Sequence, residues 1–248
     1  MTDGAPAMNG KKEGAVAHLR KEATACGNTT MMQYHCIIHQ ENLCAKSVGF
    51  KEVMKDIVKT VNFIRSHGLN HREFQAFLKE VDAAYGDVPY FTEVFWLSRG
   101  KVLKRVYDLR DEIFAFTSQK GKAATYLTDA EWMAKFAFLV DISGHLNELN
   151  LKLQGRQNLA HNLYNHVKAF EVKLTLWQSK ISKCNFVHFP TMSECSITEP
   201  EEFVEEIIAL KEEFQSRFRD FKENELKLQI FSNPFGVDVE SIPPEFQM

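Results

Sequence analysis

Six stretches of this 248-residue chain repeat apolar residues at steps of three and four. That period puts each set on one face of an α-helix, whereas a half-buried strand would alternate. Phe50, Met54, Ile57, Val58, Val61 and Ile64 form the first stripe. Gly68 and Asn70 are expected to break that helix. A second is expected over Arg72–Tyr85, with Phe74, Phe77, Leu78 and Val81 inward. Val102, Val106, Leu109, Ile113 and Phe116 make the third. The fourth runs from Trp132 through Phe136, Leu139, Val140, Leu146 and Leu149 to Leu153, with Gly144 as a weak point. Val167, Phe170, Leu174, Trp177 and Ile181 are the fifth. A loop over Lys183–Glu199 leads to the sixth: Phe203, Ile207, Leu210, Phe214, Phe218 and Phe221. Thr198 can cap that last helix, Pro200 suits its first turn, and Glu199, Glu201 and Glu202 complement its dipole.

The fold class read from the stripes is mainly α, a helical bundle. Seven prolines and 12 glycines are few, and 20 phenylalanines supply core. With 44% hydrophobic and 25% charged residues, the chain is neither wholly disordered nor low-complexity. No apolar run approaches the roughly 20 residues of a membrane span, so no membrane partner is expected. The opening MTDGAPAMNGKKEG shows no secretion signal. Five cysteines, an odd number, then point to a reducing compartment and buried thiols. Two segments precede the stripes. A short helix is expected from Lys11 to Ala23. Met31–His39 (MMQYHCIIH) reads as one short strand, the only good strand candidate.

Charge is uneven. Residues 1–192 hold 25 Lys+Arg against 19 Asp+Glu, and residues 193–248 hold 5 against 14. The acidic tail is explained by one solvated helix face. The strongest basic segment is Trp96–Arg105 (WLSRGKVLKR), with Ser98 as a helix cap ahead of Arg99, Lys101, Lys104 and Arg105. Four cations near a helix N-terminus oppose its dipole, and facing outward they can meet phosphates.

Other chemistry is weaker. Gly4–Lys12 differs from a phosphate loop: five residues separate its glycines and Lys12 replaces the hydroxyl. His35, Cys36, His39 and Cys44 are metal-type residues, but no second pair appears at similar spacing, so they read as packing residues. No Ser or Cys stands in a glycine-flanked elbow. Glu112, Asp129, Glu131 and Asp141 read as helix-surface or cap residues.

Longer words carry a more specific signal. TDGAPAMNGKKEG (Thr2–Gly14), HCIIHQENLCAKS (His35–Ser47) and VNFIRSHGLNHREFQAFL (Val61–Leu78) come first. TEVFWLSRGKVLKRVYDLRDEI (Thr92–Ile113), LVDISGHLNELNLKLQG (Leu139–Gly155) and NPFGVDVESIP (Asn233–Pro243) follow in order. In these words the chain resembles transposase-derived proteins of the hAT superfamily, including those fused to general transcription factor II-I repeats and the transposon-derived BED zinc-finger proteins.

The resemblance implies a helical domain inserted into an RNase H-like core, where three acidic residues hold two metals. It places Asp3 at the second acidic position, Cys36 and His39 on a Cys-x-x-His motif, and Trp96 on the tryptophan of an Arg-Trp word that holds DNA. The departures matter. Phe95 stands at the Arg position, the first acid belongs ahead of Met1, and no Ser/Cys-Glu word follows Asn233. A lone Asp3 is vestigial. The implied organisation is an RNase H-like remnant over 1–40, the helical insertion over 41–232 and an extended tail over 233–248. The expectation is a nuclear, non-catalytic protein with no cofactor, no metal and no small-molecule substrate. Its partners would be DNA, through Trp96, Arg99, Lys101, Lys104 and Arg105, or other nuclear proteins. A helical protein-interaction module and a non-functional transposon fragment are the alternatives.

Overall fold

A computed structural model of the chain describes residues 5–10, 12–27, 34–89, 96–155, 159–238, 240 and 242–243. Within them the chain is mainly α. Its helices are α1 (Pro6–Asn9), α2 (Ala15–Ala25), α3 (Ile37–Ser47), α4 (Lys51–Arg65), α5 (Gly68–Glu80) and α6 (Trp96–Asp108). They continue as α7 (Arg110–Gln119), α8 (Ala130–Leu153), α9 (Ala160–Ile181), α10 (Glu201–Arg217), α11 (Arg219–Glu223) and α12 (Glu225–Ser232). Among the described residues, no helix is long and apolar enough to cross a membrane.

The chain forms two compact units, each assembled from separate stretches of sequence. The larger comprises Ala45–Leu149 and Lys173–Leu210. The stripes predicted for α4, α7 and α8 supply its core: Ile57, Val61, Ile64, Ile113, Phe116, Phe136, Leu139 and Leu146 are all buried. Phe138 sits at an aromatic crossing. It stacks on Phe189 at 5.8 Å, meets Phe50 edge-on at 5.7 Å and Phe203 at 5.5 Å.

Phe50 is held at φ +56°, a region that L-residues avoid. Its ring contacts with Phe138 and Phe203 help offset that strain. The preceding Gly49 N–H donates to Glu206 Oε2 at 2.8 Å, and a Cβ at Gly49 would fall 2.0 Å from Glu206 Oε1. Gly49→Ala is expected to displace that carboxylate and destabilise the unit by about 1 kcal/mol, read from the urea midpoint.

Several ends and joints form as single side chains dictate. Asp129 Oδ1 accepts the Trp132 N–H at 2.7 Å and caps α8, as its sequence position suggested. Gly144 lies in the exposed face of an unbroken α8. Asn70 Nδ2 donates to the Phe63 carbonyl at 3.1 Å, closing the end of α4. Gly68 therefore starts α5 rather than merely ending α4, and α5 stops at Glu80. Val81, expected inward, is past that end and exposed. Asp141, expected at the surface, is buried and accepts the N–H groups of Thr191 and Met192 at 3.3 and 3.0 Å. It pins the loop after α9. Beside it His145 stacks on Trp177 at 4.2 Å and donates to the His188 carbonyl at 2.8 Å. Burial pulls the His145 pKa down, so the ring donates as a neutral imidazole near pH 7.

Two predicted stripes are each divided between two helices rather than carried by one. The third is interrupted at Leu109 and the sixth at Phe218, both buried. Each joint residue keeps its own bond four residues back: Leu109 donates to the Arg105 carbonyl at 3.1 Å and Phe218 to that of Phe214 at 3.0 Å. The apolar spacing runs across both joints. The last long helix begins at Glu201, one residue after Pro200, which sits at the cap position rather than in the first turn.

The smaller unit comprises Met1–Cys44, Asn150–Val172 and Lys211–Met248. Its core is again aromatic. Phe221 lies 4.5 Å from the Tyr34 ring and 5.5 Å from Tyr164, while Phe170 meets Phe214 at 5.2 Å. The short helix expected from Lys11 runs as α2, starting at Ala15. The strand expected over Met31–His39 is not seen. Residues 31–33 lie outside the described residues, His35 makes one isolated bridge, and α3 begins at Ile37. The reason is the burial pattern. Ile37, Gln40, Glu41 and Cys44 are buried at steps of three and four, which only a helix satisfies. The two isoleucines suggested β-structure, and tertiary packing overrode that preference.

Candidate nucleic-acid interface

The basic segment folds as α6, which starts at Trp96. Ser98 therefore lies inside the helix and does not mark its start. The side chains of Trp96 and Arg99 lie outside the described residues, as does Asp3. The other three predicted cations are described, and α6 brings them together. Lys101, Lys104 and Arg105 stand at i, i+3 and i+4 and line one open cleft of about 450 Å³ with Tyr85, Pro89 and Asn147.

The three are held differently. Lys101 is exposed. Lys104 pairs with Asp108 four residues on, and that carboxylate also accepts the Tyr85 hydroxyl at 3.2 Å. Exposed i,i+4 pairs of this kind contribute little, so the Lys104 ammonium is exchangeable. Arg105 is fixed. Its guanidinium lies 3.7 Å from the Tyr85 ring centre and donates to the Asp87 carbonyl at 3.0 Å.

Asp87 organises this corner. Its carboxylate takes Arg65, His71 Nε2 at 3.0 Å and Gln75 Nε2 at 3.2 Å, besides the Val88 N–H at 2.8 Å. Burial alone would raise its pKa, but the hydrogen bonds from His71, Arg65 and Val88 outweigh burial and hold it below the usual carboxylate value. The resulting stabilisation is complete above the unfolded value and is lost as pH falls through the lower folded value. Asp87→Asn is expected to cost about 1–2 kcal/mol near neutral pH. In acid the cost shrinks, because the wild-type carboxyl is then protonated too. Urea midpoints at about pH 7 and about pH 3 check both parts.

Gly100 sets how closely α6 approaches α8. A Cβ there would lie 2.3 Å from Asn147 Nδ2 and 3.4 Å from Ser143 Cβ. Next to this contact the Ser143 hydroxyl and Asn147 Oδ1 are buried with no hydrogen-bond partner among the described residues. Sequence reading missed Tyr85, Asp87 and Asn147. A glycine inside a helical stripe was the available signal for a close approach.

Cys36 and His39 lie at the start of α3, half-buried and exposed respectively. His35 turns to Asp220, with Nδ1 3.3 Å from Oδ2, and Cys44 is buried. Among the described residues, no three His, Cys, Asp or Glu side chains are placed to hold a metal ion.

Comparison with known proteins decides the family. The model of the FAM200/GTF2IRD2 helical domain matches residues 35–182, more than half of the chain. The chain belongs to this family. General transcription factor II-I repeat domain-containing protein 2 of Bos taurus is 41% identical over 248 residues, covering 99% of this chain and 26% of that protein. The Mus musculus protein of the same name is 40% identical over the same share of each. The resemblance to transposase-derived proteins thus holds over the whole chain, which spans about a quarter of the length of these curated relatives. No solved structure matches it.

Proposed function

We propose that this chain is a non-catalytic helical module of a domesticated hAT transposase, nuclear, and associated with DNA through the α6 cleft. The observation that carries the reading is the gathering of Lys101, Lys104 and Arg105 along one open cleft. Lys101 and Lys104 supply exchangeable ammonium groups for phosphates, and the fixed Arg105 supplies an oriented fork. On this reading residues 41–232 are the transposase's helical insertion and residues 1–40 a remnant of its RNase H-like core. The nuclear placement is supported by relatives named for a general transcription factor repeat. The non-catalytic part rests on a departure inside the sequence, Phe95 at the Arg position of the family's Arg-Trp word. Divalent-metal-dependent nicking of DNA by the chain would overturn that part.

The binding test is duplex DNA affinity against salt concentration, with Lys101→Ala/Lys104→Ala as the variant and circular dichroism as the folding control. Arg105 is left in place because Tyr85 and Asp87 need it. Wild-type binding is expected to weaken steeply with salt. The variant is expected to bind more weakly and to lose about two from the log–log salt slope. Equal binding by a folded variant would remove the cleft from the interface.

A second reading has its own observation. Phe231 and Phe235 are 70% and 99% exposed. Large aromatic surface at such positions suits a protein partner. A folded chain that ignores DNA at low salt shifts the reading to a protein-interaction module.

A further inference from the structure

Glu41 is the least expected residue of the smaller unit. It lies on α3 and is 0% exposed. Its Oε2 accepts one hydrogen bond, from Asn150 Nδ2 in the last turns of α8. Asn150 is also 0% exposed, and its own oxygen accepts from Gln154 Nε2. Glu41 Oε1 is buried and has no hydrogen-bond partner among the described residues.

An ionised carboxylate has about four acceptor sites and, once out of water, needs donors or a cation to fill them. Here the polar group that α8 brings to it is one neutral amide, that of Asn150. On α3 itself the Cys44 thiol, which feels the Glu41 charge, is pushed far up by burial and stays neutral. On α10 the charged groups that act on Cys44 are Arg217 and Glu213. Arg217 Nε pairs with Glu213, and its Nη1 reaches Gln40 at 3.5 Å. No cation among the described residues pairs with Glu41.

We infer that Glu41 is a proton-operated latch: as a neutral acid it seats α3 against the last turns of α8, and its ionisation loosens that seat. Burial drives its carboxyl up to about 7, against the opposing pull of the Asn150 hydrogen bond. The folded chain therefore keeps a proton that the unfolded chain releases at the ordinary carboxylate value. The stabilisation is complete below that ordinary value, declines as pH rises, and is gone above about 7. The helix that responds is the one that carries His39.

The test compares the full chain with Glu41→Gln, which keeps the shape and is neutral at every pH. Folding equilibria are measured from about pH 5 to about pH 8.5. The two proteins are expected to be close in acid and to diverge as pH rises, with the variant the more stable. The divergence should reach on the order of a hundredfold in the folding constant. Amide exchange over residues 38–47 should speed up across the same range in the wild type only. A gap between the two proteins that is constant with pH would overturn the inference. Should the variant not fold, carbon-13 titration of the Glu41 carboxyl in the wild type decides. A midpoint well above the ordinary range supports the latch, and one inside that range overturns it.

Discussion

Phe138→Ala is expected to destabilise the larger unit by about 3–5 kcal/mol. The ring is 1% exposed and packs on Phe50, Phe189 and Phe203. Its removal opens a cavity where three chain segments meet: the residue before α4, the loop after α9 and the start of α10. It also strips Phe50 of one of the ring contacts that hold its positive φ. Whole-domain stabilities are only about 5–15 kcal/mol, so the variant should be marginal at room temperature. Urea unfolding followed by tryptophan fluorescence measures it, since Trp177 lies 5.5 Å from Phe189 in the same cluster. A loss under about 1 kcal/mol would mean that these rings do not pack as one core.

The second large effect is expected at Phe221, which is 0% exposed. Phe221→Ala removes the ring between Tyr34 and Tyr164 and should also cost about 3–5 kcal/mol. Tyr34 loses this ring contact, so residues 34–36 should lose protection from amide exchange. Phe235→Ala is the matched control. That ring is 99% exposed, and its removal should change stability by less than about 0.5 kcal/mol. Near-equal losses at the two positions would contradict the burial assigned to Phe221.

The apolar stripes made most helices legible, because burial of one face is a local, periodic demand. Phe50–Ile64, Trp132–Leu153 and Phe203–Phe221 all announced their helices this way. The helix breaks at Leu109 and Phe218 left no such trace, since the apolar spacing runs across both. α3 was misread because two of its five buried residues are polar: Gln40 and Glu41 occupy positions where a stripe shows apolar residues. At the candidate interface the cations were legible and their partners were not. Lys104 and Asp108 are four apart and could have been paired from sequence alone. Arg105 on Tyr85, and Glu41 on Asn150, join residues 20 and 109 positions apart. Nothing local encodes such pairings; they arise from how the helices cross.

The discontinuous make-up of the two units bears on synthesis. Each unit takes core residues from α10 or its C-terminal continuation: Phe203, Ile207 and Leu210 in one, Phe214, Phe218 and Phe221 in the other. A growing chain therefore holds two unfinished cores until α10 and α11 have left the ribosome, with apolar faces of α4, α8 and α9 waiting for closure. A piece cut to residues 35–182, the span of the family match, leaves both cores open. Premature stops anywhere before α10 should thus yield insoluble or degraded chain rather than a smaller working module.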